Sequence, residues 1–328
     1  MTVIVPTYRR PDDLQRCLAG LAAQRTAPLE ILVVLRADDT ASAAVVADWQ
    51  PRFTETAIDS DPPAGSGRLR LTHPDGVGVV AAYNAGLAAA AGEVVAFLDD
   101  DAVPAPDWVE RLALAYRDPQ VAGVGGKDRL YRQGVRIDGV CGRVGRLQWF
   151  GRHIGNHHLG AGEPRSVDVL KGVNMSFRRA ALGGHRFDTR LRGPGAQPDC
   201  ELMFCLALRR QGWRLVYDPA ILVDHYTAAR HDIDQREGFN AQALGNHAHN
   251  ETLAVLTHGP WWRRLAFALW AVALGSRSLP GLLHAPRLFW LGLDHPGARI
   301  AAALSGRWSG LWIWCKPEPA PFARSMAR

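Results

Sequence analysis

Four short strand-like runs in the first third of the chain constrain its fold more than any other feature. "VIVPTY" (Val3–Tyr8), "LEILVVL" (Leu29–Leu35) and "VVAFL" (Val94–Leu98) are apolar almost throughout, and "LRLTH" reads as a further strand in which the two leucines alternate with polar residues. Between them lie "RPDDLQRCLAGLAAQ", "ASAAVVADW" and "VVAAYNAGLAAAA", which carry helical spacing. In the first of these, Pro11 and the acidic pair Asp12–Asp13 suit a helix N-terminus, and Leu14, Cys17, Leu18 and Leu21 form the apolar stripe. Continuous apolar strands separated by helices are buried on both faces, which predicts an α/β fold around a parallel sheet. In such sheets ligands bind at the carboxyl ends of the strands.

The fourth run ends in Asp99, Asp100 and Asp101. Like charges side by side repel, and nothing within "VVAFLDDDAVPAPDW" supplies a compensating cation. One reading is a ligand set for a hard divalent cation, whose charge relieves that repulsion. On an extended backbone Asp99 and Asp101 point the same way and Asp100 points away. The other reading is a solvated acidic loop leading into the helix at "PAPDWVE". Spacing alone leaves both open.

Further along, "DWVERLALAYRD" and "DCELMFCLALRRQGW" read as helices, and "VDVLKGVNMSFRR" and "RLVYDPAILVDHY" as strands. Asp199 opens the second of these helices after "GPGAQP", a loop expected to be flexible enough to close over substrate. It can be an ordinary helix cap, a catalytic base, or both. Arg178 and Arg179 face either a diphosphate or solvent. Beyond Thr227 the chain is polar and His-rich to about Asn250, then forms interrupted apolar helices to about Trp314. A Pro-rich, loose tail follows from Lys316.

A chain of 328 residues with 47% hydrophobic and 21% charged residues has material for a substantial core and is no disordered segment. The five cysteines are odd in number and lack metal-site spacing, which argues for a reducing compartment and against disulfides or structural zinc. The first residues carry no basic segment followed by a long apolar core, so a secretory signal is not expected and a cytoplasmic location is. The net charge of +6 belongs to the end of the chain. From Leu253 onward there are 9 Lys and Arg against 2 Asp and Glu, and seven of the eleven tryptophans. That combination points to an anionic membrane surface rather than nucleic acid. The apolar run Leu265–Gly275 falls short of the roughly 20 residues of a spanning helix. Interfacial helices are therefore expected, with a packed helical subdomain or an oligomer interface as the alternative.

The blocks "VIVPTYRRPDDLQRCLAGL", "GVGVVAAYNAGLAAAAGEVVAFLDDDAVPAPDWVE", "LKGVNMSFRR" and "DCELMFCLALRRQGWRLVYDPAILVDH" resemble, in this order, the family 2 inverting glycosyltransferases of the glycosyltransferase-A fold. The resemblance covers residues 2–226. It implies a Rossmann-like catalytic domain over 1–226, with helices on both faces of a mostly parallel sheet, and a helical, basic, Trp-rich extension over 227–328. It also implies a metal-dependent transfer of sugar from a nucleotide-diphosphate donor, a UDP- or dTDP-sugar, to a saccharide or lipid-linked acceptor. Pro6, Thr7, Tyr8 and Arg9 match the nucleotide-pocket loop. Asp38 or Asp39 matches the acid that meets the base or ribose, and Asp75, Gly76 and Asn84 match the turn and helix beside the base and diphosphate. Asp99 and Asp100 fall on the donor side, with Asp99 near the ribose. Asp101 and His225 match ligands of a Mn2+ or Mg2+ ion, Asp199 the catalytic base, and Asn174 and Met175 the acceptor side.

Elementary chemistry agrees with such roles: a base must deprotonate the attacking hydroxyl, and a cation must neutralise charge growing on the departing diphosphate. The alternative is a non-catalytic nucleotide-sugar binding module, against which Asp101, Asp199 and His225 speak together. Some positions depart from the family pattern. Pro198 stands where Glu usually precedes the catalytic Asp, "RADDTAS" replaces Asp-Gly-Ser, and Tyr83 stands where Arg is frequent. The Q-x-x-R-W signature of processive synthases is missing, with Leu304 in the Gln position, so one sugar per encounter is expected.

Overall fold

The computed structural model describes residues 1–54, 67–229, 233, 238–292 and 294–316. β1 (Thr2–Pro6), α1 (Pro11–Ala22), β2 (Glu30–Val34), α2 (Thr40–Thr54), β3 (Arg68–Thr72), α3 (Val79–Ala89) and β4 (Val94–Leu98) alternate as the apolar runs predict. β1 pairs in parallel with β2 and β4, and β2 with β3. The middle of the chain supplies β5 (Ala102–Pro104), α4 (Trp108–Ala115), β6 (Val121–Arg132), β7 (Val135–Arg136), β8 (Arg146–Leu147), β9 (His153–Ile154), β10 (Arg165–Val167), β11 (Asn174–Arg178), α5 (Arg179–Leu182), α6 (Cys200–Arg210) and β12 (Arg214–Tyr226). The last elements are α7 (Ala241–His258), α8 (Trp261–Ala273), α9 (Ala285–Trp290) and α10 (Pro296–Trp314).

The main sheet runs β10-β12-β6-β11-β4-β1-β2-β3. Its β3-to-β4 half is parallel, and β11 enters antiparallel between β4 and β6. The strand expected over "VDVLKGVNMSFRR" is two, because the chain turns at Lys171, whose carbonyl accepts from Asn174 N. β6 carries the run "VAGVGG" for a steric reason: a Cβ on Gly126 would stand 1.9 Å from the carbonyl oxygen of Ile221 on β12.

Period-two alternation sorts the strands between two cores. Val3, Val5, Ile31, Val33, Ala96 and Leu98 meet α1, α2 and α4 through Leu14, Leu18, Val46 and Trp108. Ile4, Leu32, Val34, Val95 and Phe97 meet α3 and α6 on the other face. Helices thus cover both faces of the sheet, the arrangement of the glycosyltransferase-A fold. Leu253, Val255 and Leu256 of α7 and Phe267 and Ala271 of α8 belong to that second core. Side chains from beyond residue 226, where the helical extension was expected to begin, thus pack into the core beside the sheet. The Pro-rich tail expected beyond Lys316 lies outside the described residues.

Candidate active site

The carboxylate run occupies the turn between β4 and β5, where Ala102 N donates to Asp99 O. β5 pairs antiparallel with β12, placing His225 opposite Ala102, and Tyr226 N donates to Asp101 O. Strand pairing therefore carries the imidazole to the carboxylates. One ligand atom each from Asp99, Asp101 and His225 lies within 4.8 Å of the others. His225 Nε2 sits 3.4 Å from Asp101 Oδ1 and completes no hydrogen bond among the described residues. Its Nδ1 lies 3.3 Å from Oδ2 of buried Asp128, which is itself ion-paired to Lys171. A carboxylate behind a ligating imidazole is the usual way to fix the tautomer that presents the other nitrogen.

The missing cations come from elsewhere in the fold. Arg10, at the head of α1, donates to Asp100 at 2.9 Å and approaches Asp101 at 4.0 Å. Burial pushes the Asp99 carboxyl up, and the charge of Asp101 adds to it; His225, Lys171 and Arg10 act the other way. Burial would raise Asp101 as well, but His225, the Ala228 N–H and Arg10 hold it below the usual range. Burial alone would lower His225; the carboxylates at its two nitrogens outweigh this and push it up to about 9. A proton on this imidazole answers the same excess of negative charge that a divalent cation would. A buried carboxylate, Asp101, and a half-buried one, Asp99, with an imidazole nitrogen facing them are a donor set suited to Mn2+ or Mg2+.

Asp100 does not share that direction. It is buried, accepts from Thr7 Oγ1 at 2.7 Å and from Arg10, and so ties the loop after β1 to the turn after β4. These internal contacts take one bond to each oxygen of a side chain that was expected on the donor side. Pro6, Tyr8 and Arg9 continue the same loop, with Arg9 in the left-handed region at φ 57°. The Tyr8 ring lies against the guanidiniums of Arg9 and Arg36, and its hydroxyl donates to Asp38 at 3.3 Å. Of the two candidate acids after β2, Asp39 is buried and accepts from Arg9 N and Ser42 N, capping α2. Asp38 remains at the surface. Asp75 and Gly76 are exposed between β3 and α3, and Asn84 brackets the backbone of Phe187 with its Oδ1 and Nδ2.

Asn174 and Met175 are corrections to the sequence expectation. Both are 1% exposed within β11, and the Asn174 side chain accepts from Trp108 Nε1 and donates to Ile221 O. Every second position of a central strand enters one core or the other, so neither side chain reaches an acceptor. Arg178 lies at the opposite end of the sheet, paired with Val94 and donating to the carbonyls of Tyr116, Asp118 and Val121. Arg179 is beside it, so neither arginine faces a diphosphate at the carboxyl ends.

Asp199 stands at the N-cap position of α6 in the left-handed region, φ 66°, and its side chain makes no capping hydrogen bond. The carboxylate instead has His247 Nε2 at 3.1 Å and His153 Nδ1 at 3.9 Å. Burial would raise its pKa; the charge and contact of His247, followed by the charge of His153, bring it below the ordinary range. The "GPGAQP" loop, expected to be flexible, is clamped. Gln197 accepts from Val80 N and donates to Leu191 O, and Asn250 accepts from Arg192 N and donates to Arg192 O and Pro198 O. Gly78, at φ 98°, is required here because a Cβ would stand 2.5 Å from Gln197 Oε1.

Between the two halves lies a cavity of about 510 Å³ lined by Tyr83, Asp99, Gln197, Glu201, Phe239, His247 and Arg299 among others. Burial raises the Glu201 carboxyl; Asp99 and Asp199 add to it, against its hydrogen bonds to its own backbone and to Cys200. Sequence reasoning passed over Arg10, Asp128, Lys171, Glu201, His153, His247 and Asn250. The one available signal was "NHAHNET", a polar run that a helix nevertheless buries at His249, Asn250, Glu251 and Thr252.

The family profile described as "Glycosyl transferase family 2" matches residues 2–183, and the chain belongs to that family. A glucosyl-dolichyl phosphate glucuronosyltransferase of Haloferax volcanii is 26% identical over 237 residues, covering 69% of this chain and 68% of that one. A pre-mycofactocin glycosyltransferase of Mycobacterium tuberculosis is 28% identical over 248 residues, 74% of this chain; the chain spans 46% of that relative's length. Among solved structures, a mannosyltransferase of Pyrobaculum calidifontis in complex with GDP-Man and Mn2+ superposes with TM-score 0.53 at 19% identity over 95% of this chain and 87% of that one. TarS of S. aureus in complex with UDP-GlcNAc gives TM-score 0.57 at 16% identity, over 93% and 78%. These likenesses are to the fold.

Proposed function

We propose that this glycosyltransferase performs a metal-dependent, inverting, single-sugar transfer from a UDP- or dTDP-sugar to a hydroxyl of a saccharide or lipid-linked acceptor in cell-envelope or exopolysaccharide assembly. The observation that carries it is the cavity lined by Asp99 and by Gln197, Pro198, Cys200 and Glu201, the residues on either side of Asp199. Asp101 and His225, with Asp99 in reach, would hold a divalent cation, which when bound neutralises charge on the departing diphosphate. Tyr8 and Asp38 offer an aromatic face and an acceptor for the nucleoside. Asp199, held ionised at neutral pH, takes the acceptor proton.

The outward faces of the last helices support a location on an anionic membrane at its cytoplasmic side. Trp261 (75% exposed), Leu265, Leu269 and Val272 line one face of α8, and Trp308, Leu311 and Trp312 one face of α10. Arg263 and Arg264 belong to α8, and Arg277 and Arg287 lie in the segment between α8 and α10. Among the described residues no helix is long and apolar enough to cross a membrane.

The test is a panel of nucleotide sugars, assayed for hydrolysis and transfer with Mn2+, with Mg2+ and with chelator. Turnover of a nucleotide sugar that chelator abolishes is the expected result. Binding without turnover across the panel would return the chain to a binding module.

A further inference from the structure

We infer that His247 is the positioning residue of the catalytic carboxylate, fixing one oxygen of Asp199 so that the other receives the acceptor's proton. The inference rests on the reading of Asp199 as the base. The residue before Asp199 is Pro198, whose side chain has no hydrogen-bonding group to offer the carboxylate.

Three observations place support for that carboxylate on α7. His247 Nε2 lies 3.1 Å from Asp199 Oδ2, while the carboxylate leaves the N–H groups of α6 uncapped. His247 lines the cavity itself. Three residues along the same helix, hence on the same face, Asn250 grips Arg192 and Pro198, the ends of the loop that carries Asp199. One helix face therefore sets both the path of the loop and the orientation of the carboxylate. A non-glycine residue held at φ 66° is the kind of strain that such external support sustains.

The step balances as follows. The acceptor O–H bond breaks as its oxygen forms a bond to the anomeric carbon, and the carbon–oxygen bond to the diphosphate breaks with its electron pair leaving on the diphosphate. The proton goes to Asp199 Oδ1, and Oδ2 stays with His247. Among the described residues, the titratable and charged groups around Asp199 are His247 and Glu251 from α7, His153 from β9, and Cys200 and Glu201 from α6, with Arg307 of α10 paired to Glu251. Two carboxylates thus oppose ionisation of Asp199 and the two imidazoles favour it. Loss of His247 raises the Asp199 pKa, so its ionised form persists only at higher pH.

The experiment follows the Asp199 carboxyl resonance by 13C NMR in the full chain labelled with [13C]aspartate, assigned by its disappearance in Asp199→Asn. In the wild type the resonance should titrate below the ordinary aspartate range. In His247→Ala the titration should move up by about one pH unit, and in His247→Gln, which keeps an N–H donor, by less. Thermal melts identify any variant that fails to fold, and the Gln variant, which preserves most of the volume, then decides alone. A titration unchanged in folded His247→Ala or His247→Gln overturns the role of His247. Turnover of the donor returned by the nucleotide-sugar panel separates the two readings: Asp199→Asn at wild-type rate removes the base assignment itself.

Discussion

The two groups of side chains beside the cavity, around Asp101 and around Asp199, are held by different means. On the metal side, Asp101 and His225 are joined by a β-ladder, and the cations that balance the carboxylates arrive from α1 and from the turn before β11. On the base side, no ladder reaches Asp199; an exposed-looking helix beyond the catalytic sheet holds it by two side chains, His247 and Asn250. Backbone pairing fixes a ligand set to within a register. Side-chain clamps fix a loop only as well as their own helix is packed. The first group should therefore fail by loss of a ligand, and the second by loss of order.

The largest expected effect is on the metal side. Asp101→Ala removes a carboxylate ligand and should abolish the metal-dependent part of nucleotide-diphosphate affinity, measured by calorimetric titration of UDP with Mn2+. Unchanged metal-dependent affinity would break the contrast at its first term. Next comes Asp199→Asn, which keeps shape but cannot take a proton. Turnover should fall by about 10²-fold or more while UDP affinity stays as it was.

Asn250→Ala sharpens the comparison. It leaves the part-buried carbonyls of Arg192 and Pro198 without their donor, at a cost of about 1 kcal/mol, with faster hydrogen exchange in the 192–198 loop. Metal-dependent UDP affinity should be untouched, and exchange protection equal to wild type would show that the loop holds its own shape. A smaller effect tests the opposite face of the same helical region. Replacing Leu265, Leu269, Trp308 and Trp312 with Ser should abolish flotation with anionic vesicles while leaving turnover of a soluble donor intact; each nearby Arg contributes about 1 kcal/mol to that binding. Flotation retained by the variant would assign those side chains to another partner.

The smallest effect concerns pH and stability. Burial holds His157 and His249 down to about 4, His157 despite a hydrogen bond to Val169 O. An unfolded chain protonates both near 6.5, so the unfolded state binds more protons and stability falls as pH drops from about 6.5 towards 4. His157→Gln should flatten that slope in urea melts taken across the range, and an unchanged slope would remove His157 as a contributor.

The parallel half of the fold was legible because β1, β2 and β4 are apolar almost throughout and helices with buried apolar positions separate the strands. The metal side was legible in part: Asp101 and His225 sit at strand ends, where chain order and family pattern coincide. Asp128 and Lys171 were not, since a buried acid on β6 becomes visible only once β6 lies against β12. Asn174 and Met175 misled for the same reason, because position along a strand does not say which core a side chain enters. The base side was legible only at Asp199. His247 and Asn250 sit in a polar helix that looks solvated until its burial against the 190–198 loop is seen.

The pairing of β5 with β12 also sets an order of events during folding. Asp101 and His225 are separated by on the order of a hundred residues, and closing so long a loop is slow relative to forming local helices. During synthesis the acidic turn is therefore made long before its imidazole partner emerges. Arg10, translated earlier still, is the one counter-charge described here that is present from the start. On the proposed metal site, the nascent chain should hold cations only weakly and binding should strengthen as β12 docks, which would make metal affinity a reporter of that docking.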